Sequence, residues 1–361
     1  MPPVALDVRH DVPLAPLSTL GVGGPARHYV EAHDVEALRA ALRWAAERGL
    51  GVLVLGGGSN VVIGDAGFDG LVVHVMLRGI EATTGNGHVD VRAAAGEEWD
   101  PFVRHAVEKG WAGLECLSGI PGRVGATPIQ NVGAYGQDVS GTITAVEALE
   151  LRTGAVSTFT NAECGFAYRD SRFKREDRGR FLVLAVTFRL TPGGPPAIRY
   201  AELEKALAAR GGAAASLREV RETVIAIRRR KSMVIDADDP NRRSVGSFFM
   251  NPIVPEDARR RVQEALRAEG NGEEADAMPS WPAGEGRVKL SAAWLIERAG
   301  LRRGHRKGRA GISTNHTLAL VNLGEATAAE VVELAREVRG RVRERFGVVL
   351  EPEPVFVNLS L

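Results

Sequence analysis

The chain has 361 residues, 44% of them hydrophobic and 25% charged, an average globular composition that excludes disordered and membrane classes. A net charge of +1, with acidic and basic residues interspersed, excludes a global field for nucleic acid or an anionic membrane, so any anion binding is local. Two cysteines, Cys116 and Cys164, without C-x-x-C or Cys/His spacing, exclude a disulfide scaffold and a Cys-rich zinc site.

No apolar stretch approaches the ~20 residues that span a bilayer. The opening MPPVALDVRHDVPL lacks a basic segment followed by an apolar one. The expectation is a cytoplasmic protein of two or three packed units. Nothing in the sequence speaks to oligomeric state, and a monomer is compatible with it.

In chain order, Asp34 caps a predicted helix, DVEALRAALRWAAERG, with Leu38, Ala41, Leu42, Ala45 and Ala46 on one face. GVLVLGGGSN then reads as a buried strand emptying into a tight loop. Further strands are predicted at 70–75, 87–93, 143–151 and 182–190, with a helix near 98–109. TPGGPPAIRY (191–200) is a break, followed by charged helices at 216–231, 255–268 and 327–346, so the main domain boundary is placed between 200 and 232. The Ala/Gly/Arg-rich patches 207–215 and 269–287 read as solvated loops. Strands alternating with helices and a glycine loop indicate an α+β fold.

The loop Gly56-Gly57-Gly58-Ser59-Asn60 follows a strand, where bare backbone N–H groups can approach a diphosphate and Ser59 and Asn60 can add donors. It lacks both the Lys-Ser/Thr of a P-loop and the G-x-G-x-x-G of a Rossmann turn, and by itself it is equally an ordinary glycine turn. A second glycine-bearing stretch, LSGIPGRVGATPIQNVGAYG (117–136), suits close wrapping of a flat ligand. As a surface loop it would expose Ile120, Val124, Ile129 and Val132. Two such segments in one half favour a flavin dinucleotide.

Arg169, in AYRDSRFK, offers a planar donor fork to a carboxylate; alone, a salt bridge with Asp170 is the commoner explanation. Ser247, in SVGSFFMNP, stands between a glycine and two aromatics, where a lone serine is ordinarily a cap or turn hydroxyl. Glu353 falls at the entry to a C-terminal strand. Lys231 closes the helical VIAIRRRK, and His316 precedes an apolar run and reads equally as a satisfied turn histidine. No histidine pair has ligand spacing, so no metal is expected, and no G-x-S-x-G elbow supports a hydrolase.

Taken in order, GGGSN, IPGRVGATPIQNVGAYG, YRDSRFK, GSFFMNP, KLSAAWLIE and LEPE resemble the UDP-N-acetylenolpyruvoylglucosamine reductase family, from about residue 15 to about 357. The resemblance implies an α+β flavin-binding region of the vanillyl-alcohol-oxidase (PCMH) type in two subdomains, followed by an α+β substrate-binding domain. The implied division is 1–72, completed by the C-terminal strand 348–361, then 73–225, then 226–347. It also implies non-covalent FAD that accepts a hydride from NADPH and passes it to the enolpyruvyl ether of the nucleotide sugar, giving UDP-N-acetylmuramate for peptidoglycan synthesis.

By that resemblance the FAD contacts are Gly56, Gly57, Gly58, Ser59, Asn60, Ile120, Pro121, Gly125, Ala126, Thr127, Gln130 and Gly133. Hydride arriving at C3 of the vinyl group builds negative charge at C2, delocalised into the adjacent carboxylate. Arg169 and Glu353 would flank that carboxylate, the glutamate protonated because an ionised one would oppose the charge, and Ser247 would protonate C2. Implied substrate contacts are Tyr135, Tyr200, Arg228, Lys231, Asn251 and His316, with Tyr200 matching the subfamily that closes a tyrosine loop over the diphosphate. Met250 departs from the basic or polar residue many relatives carry after SFF. The rivals are another flavin oxidase of the same superfamily, tethering its flavin through His or Cys, and a non-catalytic nucleotide-binding module.

Overall fold

A computed structural model describes residues 6–210 and 215–361; residues 1–5, and 211–214 of the predicted solvated patch, lie outside the described residues. The chain forms two compact units, one of residues 1–12, 25–58 and 68–236, the other of 13–24, 59–67 and 237–361.

The first unit holds a four-stranded and a six-stranded sheet, beside the short pair Gly133–Ala134 and Gln137–Asp138. In one, Pro25–Ala32 and Val52–Leu55 run parallel to the central strand Phe68–Val75, with Arg9–Pro13 beyond Pro25–Ala32. The helix Val35–Glu47 covers it, and its Asp34 cap accepts a bond from Ala37 N–H at 2.7 Å, as the sequence predicts. Leu38, Ala41, Leu42 and Ala45 are buried on that helix, whereas Ala46, expected with them, is exposed at the helix's edge. The second sheet is antiparallel, ordered Val156–Thr160, Ile143–Glu150, Phe181–Pro192, Val89–Ala94, Ile80–Thr84. Trp99 and Phe102, on the helix Trp99–Glu108, pack tilted rings against Phe188 in its core. Phe181–Pro192 runs two residues into the predicted break.

The second unit sets Ser244–Ser247 beside Ala319–Asn322, Ala310–Ile312 and Arg306–Lys307 in one antiparallel sheet. A three-stranded sheet of Ile253–Pro255, Arg287–Leu290 and Ser280–Pro282 stands beside the helices Glu256–Ala268, Ala292–Arg298 and Ala328–Phe346. Val355–Val357 pairs in parallel with Val61–Ile63.

The patch 269–287 corrects a sequence expectation. It contains the helix Gly272–Asp276 and a strand, and Ala275 and Met278 reach the apolar core of this unit. Its composition is polar because only a few of its side chains turn inward. Likewise 207–208 end the helix Ala201–Ala208 instead of beginning a loop. Among the described residues no helix is long and apolar enough to cross a membrane.

Candidate active site

Gly56–Gly58 leave the parallel sheet directly after Val52–Leu55. A Cβ on Gly57 would fall 2.9 Å from the Cα of Gly122, so this loop and the second glycine segment meet backbone to backbone. Gly125 is as tightly held, since its Cβ would lie 2.5 Å from that of Ala95. Gly58, Gly119 and Gly122 have φ of +61°, +73° and +122°, which side-chain-bearing residues rarely adopt. Side chains are thus absent where two stretches of backbone converge, leaving N–H groups free of steric cover, which fits the phosphates and flat ring of a flavin dinucleotide.

The second segment is an ordered part of the unit. Val124 is fully buried, Ile120 and Val132 pack against the core, and Ile129 alone of the four apolar residues in question is exposed. The Thr127 hydroxyl donates to the Val124 carbonyl at 2.7 Å. Asn131 Nδ2 donates to Ala167 O at 3.0 Å and Ser171 Oγ to Ile129 O at 2.6 Å, which staples the segment to the Arg169 turn.

Arg169 occupies a left-handed conformation, φ +54°, and its Nη2 donates to the Gly133 carbonyl at 2.5 Å. Asp170, the residue beside it, is bound by Arg175. The Arg169 guanidinium is thus fastened to the glycine segment, with the Tyr168 ring beside it at 5.4 Å.

Four of the predicted substrate residues cluster in the same unit. The rings of Tyr135 and Tyr200 meet edge to face at 5.5 Å. Burial pushes the Tyr135 phenol up to about 12, so it remains a neutral donor. Burial also works against the charge of Arg228, which Tyr135 beside it supports. Arg228 is 7% exposed and donates from Nη2 to Met233 O at 2.6 Å, while its Nε is buried without a partner. Lys231, at the helix C-cap, pairs with Glu202 at 2.5 Å.

In the second unit, Ser247 ends the strand Ser244–Ser247 at a register irregularity, opposite Ala319 and after Gly246 at φ +75°. It is a strand residue and not a helix cap. Glu353 N–H donates to Phe248 O at 2.9 Å, which sets the glutamate beside the residue following Ser247. Asn60 Nδ2 donates to Glu353 O at 3.3 Å, bringing the end of the GGGSN motif to the same place. Asn251 Oδ1 accepts from Ala292 N–H at 2.9 Å at the start of a helix, and the His316 carbonyl accepts from Ala319 N–H at 3.1 Å in a turn.

One contributor escaped sequence reasoning. Asp100 accepts Gly119 N–H at 2.5 Å and a bidentate fork from Arg221 at 2.6 and 2.8 Å, anchoring the second glycine segment at its start. Burial alone would raise the Asp100 carboxyl, but Arg221 and Gly119 outweigh it and hold it below the usual carboxylate range. Its stabilising share is present above the unfolded carboxyl pKa and is lost as pH falls through the lower folded one. Arg221→Met is expected to lower the unfolding free energy by ~2–4 kcal/mol, reduced from the buried-pair range because Asp100 is partly exposed. Denaturant unfolding checks this, and a change below ~0.5 kcal/mol would show an ordinary surface pair.

Two family models match the chain: the C-terminal domain of UDP-N-acetylenolpyruvoylglucosamine reductase over residues 238–357, and an FAD binding domain over 26–160. The UDP-N-acetylenolpyruvoylglucosamine reductase of Streptomyces coelicolor is 49% identical over 360 residues, 98% of this chain and 91% of that protein. That of Saccharopolyspora erythraea is 49% identical over 352 residues, 96% of this chain and 95% of that one. Among solved structures, UDP-N-acetylenolpyruvylglucosamine reductase from Thermus caldophilus is similar with a TM-score of 0.63 and 26% identity, covering 98% of this chain and 99% of that one. The chain belongs to the UDP-N-acetylenolpyruvoylglucosamine reductase family.

Proposed function

We propose that Ser247, Arg169 and Glu353 carry the reaction of the family in this chain, the NADPH-dependent, FAD-mediated reduction of UDP-N-acetylglucosamine enolpyruvate to UDP-N-acetylmuramate. The chain is a flavin-dependent oxidoreductase of peptidoglycan precursor synthesis. FAD, held by Gly56–Gly58 and the segment from Ile120 to Gly133 with Ser59 and Asn60, supplies when bound the transfer of a hydride from NADPH to C3 of the enolpyruvyl group. Non-covalent binding is supported by Cys116, whose buried thiol donates to Ala197 O at 3.1 Å and is pushed by burial up to about 12, too high for a nucleophilic tether.

As charge builds at C2 and the adjacent carboxylate, Arg169 donates to the carboxylate, and its bond to Gly133 O holds the fork before the charge appears. Glu353, protonated, donates a hydrogen bond to the same group. The Ser247 hydroxyl gives its proton to C2. Tyr135, Tyr200, Arg228, Lys231, Asn251 and His316 bind the nucleotide sugar, with Arg228 and Lys231 opposite its diphosphate. The observation that supports the reading is the Glu353–Phe248 backbone bond, which sets the backbone of Glu353 against that of the residue following Ser247. We place the reaction in the cytoplasm. We also retain the division 1–72 with 348–361, 73–225 and 226–347, supported by the separate four- and six-stranded sheets of the first unit and the pairing of Val355–Val357 with Val61–Ile63.

Anaerobic addition of NADPH, followed by the enolpyruvyl nucleotide sugar, tests the reading. Bleaching of the yellow flavin and its recovery on the second addition are expected; bleaching without recovery refutes the acceptor.

A further inference from the structure

Glu115, just ahead of the second glycine segment, carries a carboxyl group only 1% exposed. Uncharged donors from separate parts of the chain converge on it: Gly113 N–H at 2.8 Å on Oε2, and Ala197 N–H at 2.8 Å and the Gln137 side-chain amide at 3.3 Å on Oε1. Gln137 Oε1 in turn accepts Cys116 N–H at 2.9 Å, and the buried Cys116 thiol donates to Ala197 O at 3.1 Å. Glu115 and Cys116 therefore hold both backbone groups of Ala197 and both ends of the Gln137 amide.

This knot joins the two stretches that carry Tyr135 and Tyr200. Gln137 belongs to the short pair Gly133–Ala134 and Gln137–Asp138, whose turn holds Tyr135. Beyond Ala197 the chain runs directly against that turn, since a Cβ on Gly136 would lie 3.1 Å from the Cβ of Arg199 and 3.3 Å from its carbonyl oxygen. Tyr200 follows, its ring edge to face with Tyr135 at 5.5 Å. The helix Ala201–Ala208 comes next, and Lys231 binds its Glu202.

The knot decides how far Tyr200 can travel. Three residues of chain span at most about 11 Å, so with Ala197 fixed the Tyr200 backbone stays within that radius of it. Tyr200 is 41% exposed, so packing alone does not fix its ring. Ala197 lies in no strand, and the side chains of Glu115 and Cys116 do for it what a ladder does for a strand residue. Without the Glu115 acceptor its N–H must find water, and because Ala197 is only half-buried, retreat of the segment toward solvent costs less than leaving that N–H unpaired.

We propose that Glu115 is a positioning residue for the nucleotide sugar, holding Ala197 so that Tyr200 stays poised against Tyr135 where both grip the ligand. This rests on the reading of Tyr135 and Tyr200 as contacts of the nucleotide sugar. Glu115 acts through Ala197 and governs binding, not the hydride or proton steps.

The test measures the Kd of UDP-N-acetylglucosamine enolpyruvate on the oxidised holoenzyme through the change in flavin absorbance, together with kcat and KM at saturating NADPH. Glu115→Asp keeps an acceptor for Gly113, two residues away, but its shorter arm gives up Ala197. Kd and KM are expected to rise about tenfold with kcat and FAD affinity retained, the scale of one lost hydrogen bond. Glu115→Gln, with an oxygen at full reach for Ala197 but none left for Gly113, is expected to fall between Glu115→Asp and wild type. Added to Tyr200→Ala, itself weakened, Glu115→Asp is expected to cost less than about twofold more. The proposal is overturned by full additivity with Tyr200→Ala, by FAD affinity falling as far as sugar affinity, or by Glu115→Gln binding worse than Glu115→Asp. Should Glu115→Asp fail to fold, Gln137→Ala, at a half-buried position, is expected to weaken sugar binding while retaining FAD, and unchanged binding there sinks the idea. Tyr200→Ala separates the two readings: if it leaves sugar affinity intact, the tyrosine contact and the proposal both fall, whereas weakened binding in Tyr200→Ala beside wild-type binding in Glu115→Asp removes only the role of Glu115.

Discussion

Ser247→Ala leaves bleaching by NADPH at its wild-type rate and slows the recovery of flavin colour on addition of the enolpyruvyl nucleotide sugar by about 10²–10⁴-fold, the usual cost of losing a positioned acid. The hydroxyl is the proposed proton donor to C2, and C2 acquires charge only in the second half-reaction, so the first has no use for it. Ser247 lies at the end of a strand paired with Ala319, and alanine keeps the β-carbon and the backbone bonds. The loss is therefore chemical and not structural. Stopped-flow absorbance separates the two halves. Equal slowing of both would remove Ser247 from its role, and Ser247→Cys, which restores a donor of similar size, is expected to recover part of the second.

Gly57→Val weakens FAD binding by about ten- to a hundredfold, following the ~1–3 kcal/mol cost of overpacking. The new Cβ would meet Gly122 Cα at 2.9 Å and Gly122 C at 3.2 Å, and both are backbone, so no flexible side chain can give way. One of the two glycine segments must retreat, and the N–H groups proposed to face the diphosphate move with it. Gly141, where an added Cβ meets nothing within 4 Å, is the control: Gly141→Ala is expected to retain wild-type affinity. Fluorescence titration of the apoprotein checks both, and equal affinities would show that the convergence of the loops has no bearing on the cofactor.

The helix Val35–Glu47, its Asp34 cap and the strands Val52–Leu55 and Phe181–Pro192 were legible in the sequence, because their signals are local: a period, a capping residue, a run of branched apolar side chains. Ile80–Thr84 was not, because it is an edge strand exposed along its whole length and carries no alternation. Pro25–Ala32 was hidden for the opposite reason. Its Tyr29 is polar but fully buried, where its hydroxyl is hydrogen-bonded, a residue that composition reads as surface.

The site divides in the same way. Its residue types and their order, from GGGSN to LEPE, pointed to the family and to the reaction, since each motif is a short stretch of chain with its own chemistry. The fork of Arg221 on Asp100, the fastening of Arg169 to Gly133, and the bond that draws Glu353 beside Phe248 join residues far apart in the chain. Pairings of that kind leave no local pattern, because either partner alone reads as an ordinary surface charge or turn. Folding alone brings them together, through strand register and burial that make an unpaired polar group too costly to keep.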